Sequence, residues 1–409
     1  MPVFHTTDPV SVMKNSTPDT HDGKLIGLAF GDPLSYKTFS GYSRHLFLAL
    51  RQMDALAETF STRIIKWYDL FYGYRLFSRM LKWQRPELSA NWLWNEATIR
   101  KLSCRLQDRL AGFDEKVPVL QVGAHVYPVN TARQFYCVAD MTVRQAADSH
   151  QFLIRQLDRG AADRAIEVQR KMFDTYAKIF ALSGWTAKSI IEDYGQSPEK
   201  VVVIGAGANM GPLPPDADKY SSRQILFVGL DWVRKGGPVL LEAFRIVRRQ
   251  IPDAVLNIVG CSPHVSGPGV NVIGILRKQI HSEKQHLENL YKSANCFCIL
   301  PPFDPFPNVL LEAQITATPV VSINSGSRHE AVKSGILVDH PTATNVANAI
   351  INVLSNPALA EQMGRAGKSF ILENYTWPKV AKKILSHISG PGTNNFEALS
   401  KTRQLCQAE

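Results

Sequence analysis

A chain of 409 residues exceeds what one hydrophobic core normally supports, so two domains are expected. Its 45% hydrophobic and 20% charged residues exclude a wholly disordered or low-complexity chain, and no 18-residue apolar stretch is present to span a membrane. The formal net charge of +10 favours anionic partners, but neither paired Cys/His ligands nor a basic heptad region accompanies it, which argues against a nucleic-acid binder.

Residues 1–23 lack an apolar run and read as a disordered tail rather than a signal peptide. KLIGLAF (24–30) predicts the first strand of a parallel sheet, and GYSRHLFLALRQM (41–53) follows with apolar residues at helical spacing. The stretch 63–94 mixes aromatics with Lys66, Arg75, Arg79, Lys82 and Arg85, the pattern of a helix lying on an anionic membrane. Apolar runs at VPVLQVG (117–123), AKIFALS (177–183) and KVVVIG (200–205) predict further strands, with long helical patterns between them. Strands of the buried type alternating with helices imply an α/β domain over 24–205.

GAGANMGPLPPDADKYSS (205–222) is rich in Gly, Pro and small polar residues, and 206–222 reads as a flexible linker. A second alternating run occupies 223–375. Its strands are QILFVG (224–229), AVLNIVG (254–260), VNVIG (270–274), NCFCIL (295–300) and PVVSI (319–323), and its helices include 237–250 and 308–317. A last helix is expected over 376–388, before a tail at 389–409. The six cysteines, at 104, 137, 261, 296, 298 and 406, have neither zinc nor CxxC spacing and read as reduced thiols of a cytoplasmic protein.

Two strand-loop-helix junctions of the second half carry charge. In FVGLDWVRKGG (227–237), Arg234 and Lys235 precede a Gly-Gly helix start, where free amides and two cations suit an anion. In PPFDPFPNVLLEAQ (301–314), Asp304 sits in the loop and Glu312 one turn into the helix. The amides of Asn308, Val309 and Leu310 there suit a diphosphate. Glu312 could accept hydrogen bonds from ribose hydroxyls, and Asp304 from those of a sugar. No His/Cys cluster suggests a metal, so no cofactor is expected.

Together these segments resemble the family 4 retaining glycosyltransferases (glycosyltransferase group 1, GT-B fold). In DPFPNVLLEAQITATPVV, Asp304, Phe306, Leu311, Glu312, Ala313, Pro319, Val320 and Val321 fall in register with the family pattern, with Asp304 standing where the family has Glu. In VGLDWVRKG, Gly229 and Lys235 fall in register, while Leu230 stands where the family has Arg, and Arg234 is the cation that could replace it. Gly41, in SGYSRHLFLAL, matches the glycine that lets the backbone approach the donor phosphate. The resemblance implies two Rossmann-like domains facing across a cleft, with the C-terminal helix crossing back to the N-terminal domain. It implies a nucleotide-diphosphate sugar as donor, a glycan, lipid-linked or small-molecule acceptor, and retaining, metal-independent hexosyl transfer. On this reading Lys235, Arg234, Asp304 and His125 are catalytic; Glu312, Gly41, Gly229, Phe306, Pro307, Asn308, Val309 and Leu310 bind the donor; and Asp140 lies on the acceptor side. The localisation implied is cytoplasmic, peripheral at the membrane through 63–94. The alternatives are a nucleotide-sugar-binding protein without catalysis and a sugar-nucleotide epimerase.

Overall fold

The computed structural model describes residues 23–63, 94–149 and 159–388. The expected tails, and the membrane-surface helix expected at 63–94, fall outside these residues apart from their boundary positions. The first sheet contains β1 (Leu25–Ala29), β2 (Leu56–Ser61), β3 (Val119–Val122), β4 (Phe135–Ala139), β5 (Lys178–Ala181) and β6 (Val201–Val203), in the order β2-β1-β3-β4-β5-β6 and parallel throughout. Among the described residues it carries α1 (Tyr42–Gln52), α2 (Glu96–Leu110), α3 (Val143–Asp148), α4 (Arg159–Thr175) and α5 (Gly184–Glu192). Every residue of β1, β3 and β4 is buried, as helices covering both faces of a parallel sheet require.

The second sheet repeats the plan with β7 (Gln224–Val228), β8 (Val255–Val259), β9 (Val270–Gly274), β10 (Cys296–Cys298), β11 (Val320–Ile323) and β12 (Gly335–Val338), ordered β12-β11-β10-β7-β8-β9 and again parallel. Its helices are α6 (Gly237–Gln250), α7 (His281–Ser293), α8 (Asn308–Ile315), the short α9 (Arg328–Ala331), α10 (Ala343–Ser355) and α11 (Pro357–Asn374). Helix α12 (Trp377–Ile388) crosses back to the first domain. Its Val380, Ala381, Ile384 and Leu385 join Leu46, Phe47 and Leu50 of α1 in one apolar cluster, which also takes in Phe306, Leu311 and Ile315 of the second domain.

The connection at 206–222 is a packed strap. Its small residues were expected to confer flexibility; here they permit close approach. Ala206 and Ala208 are buried, and a Cβ on Gly207 would lie 2.5 Å from the Trp377 ring. Asn209 donates from Nδ2 to the Ser40 carbonyl at 3.0 Å and accepts from Trp377 Nε1 at 3.2 Å. Lys219 is fully buried, with Nζ donating to the Tyr291 carbonyl (2.6 Å) and Thr318 Oγ1 (2.8 Å), and burial pulls its pKa down to about 7. Gly-rich composition signals small side chains, which serve tight packing as readily as mobility.

Candidate active site between the two sheets

In a doubly wound sheet the crevice opens beyond the carboxyl ends of the two adjacent strands from which the chain departs in opposite directions. In the first sheet these are β1 and β3; in the second, β7 and β10. Gly41, His125, Lys235 and Asp304 lie on the chain leaving these four strands.

At the second crevice, the loop after β7 brings Lys235 and the loop after β10 brings Asp304. Lys235 Nζ is ion-paired with Asp304 Oδ2, and Arg234 Nη1 stands 3.9 Å from the same oxygen. The side chains of Lys235 and Asp304 are only 12% and 11% exposed. Gly229 leaves room for the lysine stem: a Cβ there would sit 3.0 Å from Lys235 Cγ. Gly236, at φ +77° between this loop and α6, passes so close to Leu300 that a Cβ would lie 2.4 Å from its carbonyl oxygen. A third cation was not anticipated from sequence. Arg328 is buried behind the loop, donating to the Pro301 carbonyl at 2.8 Å and the Ser325 carbonyl at 2.6 Å. Burial lowers its pKa to about 10, and Asp304 opposes that shift.

Two expectations change here. At the start of α6, the Gly236 and Gly237 amides donate to the Val233 and Trp232 carbonyls, because the tight 231–236 turn consumes them. The positive field at this junction therefore comes from side chains. At the start of α8, in contrast, Leu310 donates to Pro307 while the Asn308 and Val309 amides have no protein acceptor among the described residues. The side chains of Phe306 and Leu310, expected at the donor, belong to the core; Phe306 packs against Tyr375 with ring centroids 5.9 Å apart. Only their backbone can face a ligand. Pro307 precedes α8 with its ring buried. Leu230 is 77% exposed and delivers no charge, so Arg234 is the second cation of this loop.

Glu312, 1% exposed, accepts from Lys278 Nζ at 2.7 Å and from the Tyr291 hydroxyl at 3.2 Å. Lys278 follows β9 and was missed in the sequence; the signal was the basic pair Arg277-Lys278 just after a strand. Facing this pair from the first domain is His45 of α1, stacked on Trp377 (centroids 6.0 Å). Burial pulls its pKa down to about 4, with nearby Lys278 acting in the same direction and Glu312 against it.

At the first crevice, His125 follows β3, its ring 5.0 Å from Phe30 and 5.9 Å from Phe39. Its Nε2 is buried with no hydrogen-bond partner among the described residues, and burial lowers its pKa to about 4. Phe39 and Ser40 both hold positive φ (46° and 54°), strain of the kind found at ligand loops. Gly41 completes that loop at φ +82° and caps α1. Asp140 follows β4; its Oδ1 accepts from the Met141 amide at 2.9 Å. Burial pushes its carboxyl up to about 6, and Asp304 across the cleft adds to the rise.

The only Asp-x-Asp tripeptide of the chain, Asp216 to Asp218, lies away from the cleft, where Asp216 pairs with Lys292 at 3.2 Å near the amino ends of the second sheet's strands. Among the described residues no helix is long and apolar enough to cross a membrane, and no cluster of three His, Cys, Asp or Glu side chains occurs.

Comparison with known proteins bears on the same region. Residues 216–370 match the family described as Glycosyl transferases group 1. The D-inositol 3-phosphate glycosyltransferase of Segniliparus rotundus is 27% identical over 225 residues, covering 49% of this chain and 49% of that protein. The chain thus spans about half the length of the curated relatives it matches. Among solved structures, the sucrose-phosphate synthase of Thermosynechococcus elongatus superimposes with a TM-score of 0.63 at 18% identity, covering 94% of this chain and 100% of the other. HepE of Anabaena, in complex with UDP-glucose, gives a TM-score of 0.58 at 12% identity, with 89% and 98% covered.

Proposed function

We propose that the protein, whose residues 216–370 match the glycosyltransferase group 1 family and whose two sheets have the GT-B layout, is a retaining, metal-independent glycosyltransferase. It transfers a hexose-type sugar from a nucleotide-diphosphate sugar to a glycan, lipid-linked or small-molecule acceptor. One observation carries the reading: three cations, Lys235, Arg234 and Arg328, gather at the crevice of the second sheet around Asp304, with Asp231 a second carboxylate beside them, 3.6 Å from Arg234 Nε. That cluster has more positive than negative charge, and the free amides of Asn308 and Val309 begin the helix that follows the same loop. HepE, which shares the fold, binds UDP-glucose.

In this reading Lys235 and Arg234 neutralise the diphosphate, and the amides of Asn308 and Val309 hold its oxygens. Fixed dipoles and cations aimed at developing charge supply much of the barrier lowering in such reactions. Glu312, oriented by Lys278 and Tyr291, accepts from ribose hydroxyls. Asp304 orients the sugar, and His125, neutral near pH 7 with a free ring nitrogen, meets it from the other domain. The bond from the anomeric carbon to the phosphate oxygen breaks, the acceptor oxygen attacks on the same face, and its proton passes to the departing phosphate.

Thermal-shift titration with UDP-, GDP- and ADP-sugars in EDTA tests the proposal, because a ligand that binds only the folded state raises its melting point. Expected is a rise with one donor class and, with EDTA still present, release of the nucleoside diphosphate. A response to no donor removes the reading; a rise without turnover supports a binding protein instead.

Asp140 gives a pH prediction. Its folded pKa of about 6 exceeds the unfolded value of 3.8, so the folded state holds the extra proton between these values, and stability is lost as pH rises through 6. Asp140→Asn should raise the melting temperature at pH 7.5 and change it little at pH 4. It should also abolish any activity limb near pH 6. An equal shift at both pH values would show that no buried charge is relieved.

A further inference from the structure

The two domains also touch beyond the apolar side chains of the α1–α12 seam, through a polar contact that involves both loops that carry acids. Helix α5 begins in the first domain at the carboxyl end of β5. Its cap, Ser183, satisfies the Thr186 amide at 3.1 Å. The first two amides, of Gly184 and Trp185, instead donate to the second domain: to Glu330 Oε2 at 2.7 Å and Glu330 Oε1 at 3.2 Å. A carboxylate thus grips the positive end of a helix in the other domain with both oxygens.

Both sides of this grip continue to the cleft. On the second domain, Glu330 lies on α9, whose Arg328 donates to the Pro301 carbonyl, while Ser327 Oγ donates to the Pro305 carbonyl. These contacts bracket Asp304. The residue before it, Phe303, meets the Trp185 ring edge-on with centroids 5.9 Å apart. On the first domain, Thr186 Oγ1 donates to the Asp140 carbonyl at 2.6 Å, and Gln145 Nε2 donates to the Trp185 carbonyl at 2.9 Å. Gln145 is itself fixed in a capping box with Thr142, two residues beyond Asp140.

We propose that Glu330 and Trp185 are positioning residues: they form an interdomain latch that sets the Asp304 loop opposite Asp140 when the cleft is closed. Among the described residues, neither the Glu330 carboxylate nor the Trp185 ring bonds Lys235, Arg234 or Glu312, so the latch acts on closure more than on donor affinity. Its catalytic consequence rests on the proposed transfer reaction; its existence does not.

The test compares Glu330→Gln, Trp185→Ala and Trp185→Phe in the full-length protein. A glutamine presents one acceptor oxygen and an NH2 group to two amides, so the two-oxygen grip is lost. In Glu330→Gln, X-ray scattering in the presence of UDP should give a larger radius of gyration than wild type, and the Gly184 and Trp185 amides should exchange hydrogen faster. The UDP-induced rise in melting temperature should persist. The kcat should fall by about 10- to 100-fold, the loss expected for one charge-assisted hydrogen-bonded group, with donor KM little changed. Trp185→Ala should share that kcat loss, and Trp185→Phe, which keeps an edge-on ring for Phe303, should recover most of it. Scattering and exchange identical to wild type in Glu330→Gln would overturn the latch, as would a change confined to KM. A wild-type protein that ignores every nucleotide would count against the transferase reading alone, since scattering and exchange, measured then without ligand, still decide the latch.

Discussion

Lys235→Ala is expected to lower kcat/KM for the donor by on the order of 10²–10³, the range for losing one transition-state donor from a preorganised site. The lysine stem runs past Gly229, its ammonium meets Asp304, and both side chains are almost wholly withdrawn from solvent. Truncation removes a cation and also leaves a carboxylate with Arg234 at 3.9 Å and Arg328 as its remaining counter-charges. Breaking one side of a buried pair costs about 3–5 kcal/mol when the survivor is fully enclosed, and less here, where a tenth of each side chain still reaches water. Lost activity could then be blamed on a damaged fold. The double variant Lys235→Ala/Asp304→Asn separates these effects. It removes both charges, so its melting temperature should return toward wild type while kcat/KM stays low. Recovery of both would make the pair structural. Near-wild-type activity in Lys235→Ala would show that the diphosphate sits elsewhere.

The central strands were legible in the sequence because burial on both faces leaves them nearly continuous apolar runs, as in LIGLA and VLNIV. Of the four edge strands, β6 and β9 were read and β2 and β12 were not. LAETFS carries Glu58 and Thr59 on a half-exposed strand, and GILV is short and only partly covered, so neither shows the buried-run signal. The site divides the same way. Asp304 and Glu312 could be placed because a single loop-helix junction fixes their spacing, and Lys235 because a Gly-Gly pair marks the next helix start. Lys278 after β9, Arg328 and Glu330 on α9, and His45 on α1 lie on three different elements, and only the winding of the two sheets brings them to the cleft. A basic pair after a strand, or the RHE of a four-residue helix, carries no local mark that separates it from a solvated surface. Arg234 is intermediate: the sequence offered it as a replacement for the cation missing at Leu230, and its guanidinium lies between Asp231 at 3.6 Å and Asp304 at 3.9 Å while Leu230 points into solvent.

Glu312→Gln should weaken nucleotide binding by about 10- to 100-fold while leaving kcat at saturating donor within a few-fold of wild type. The substitution keeps size and shape, so α8 and its packing on the core are retained. What changes is the charge facing Lys278, 2.7 Å away, and the capacity to accept from two partners at each oxygen. Lys278 and the Tyr291 hydroxyl already take one position on each oxygen, so the remaining lone pairs are those a ribose would use. A glutamine has one such oxygen and must turn its NH2 group toward either Lys278, which can only donate, or Tyr291, and in either case it presents one accepting oxygen where the carboxylate presents two. The penalty therefore falls on binding, in a part of the donor remote from the bond that breaks, and appears in the dissociation constant for the nucleoside diphosphate as well as in KM. Lys278→Met gives the control. If Lys278 serves only to orient Glu312, its loss should weaken the nucleoside diphosphate less than Glu312→Gln does. If Lys278 instead contacts phosphate directly, its loss should be the larger and should grow as salt is lowered. Calorimetric titration of both variants with UDP and GDP, at two salt concentrations, decides between them, and unchanged affinity in Glu312→Gln would remove the ribose from this carboxylate.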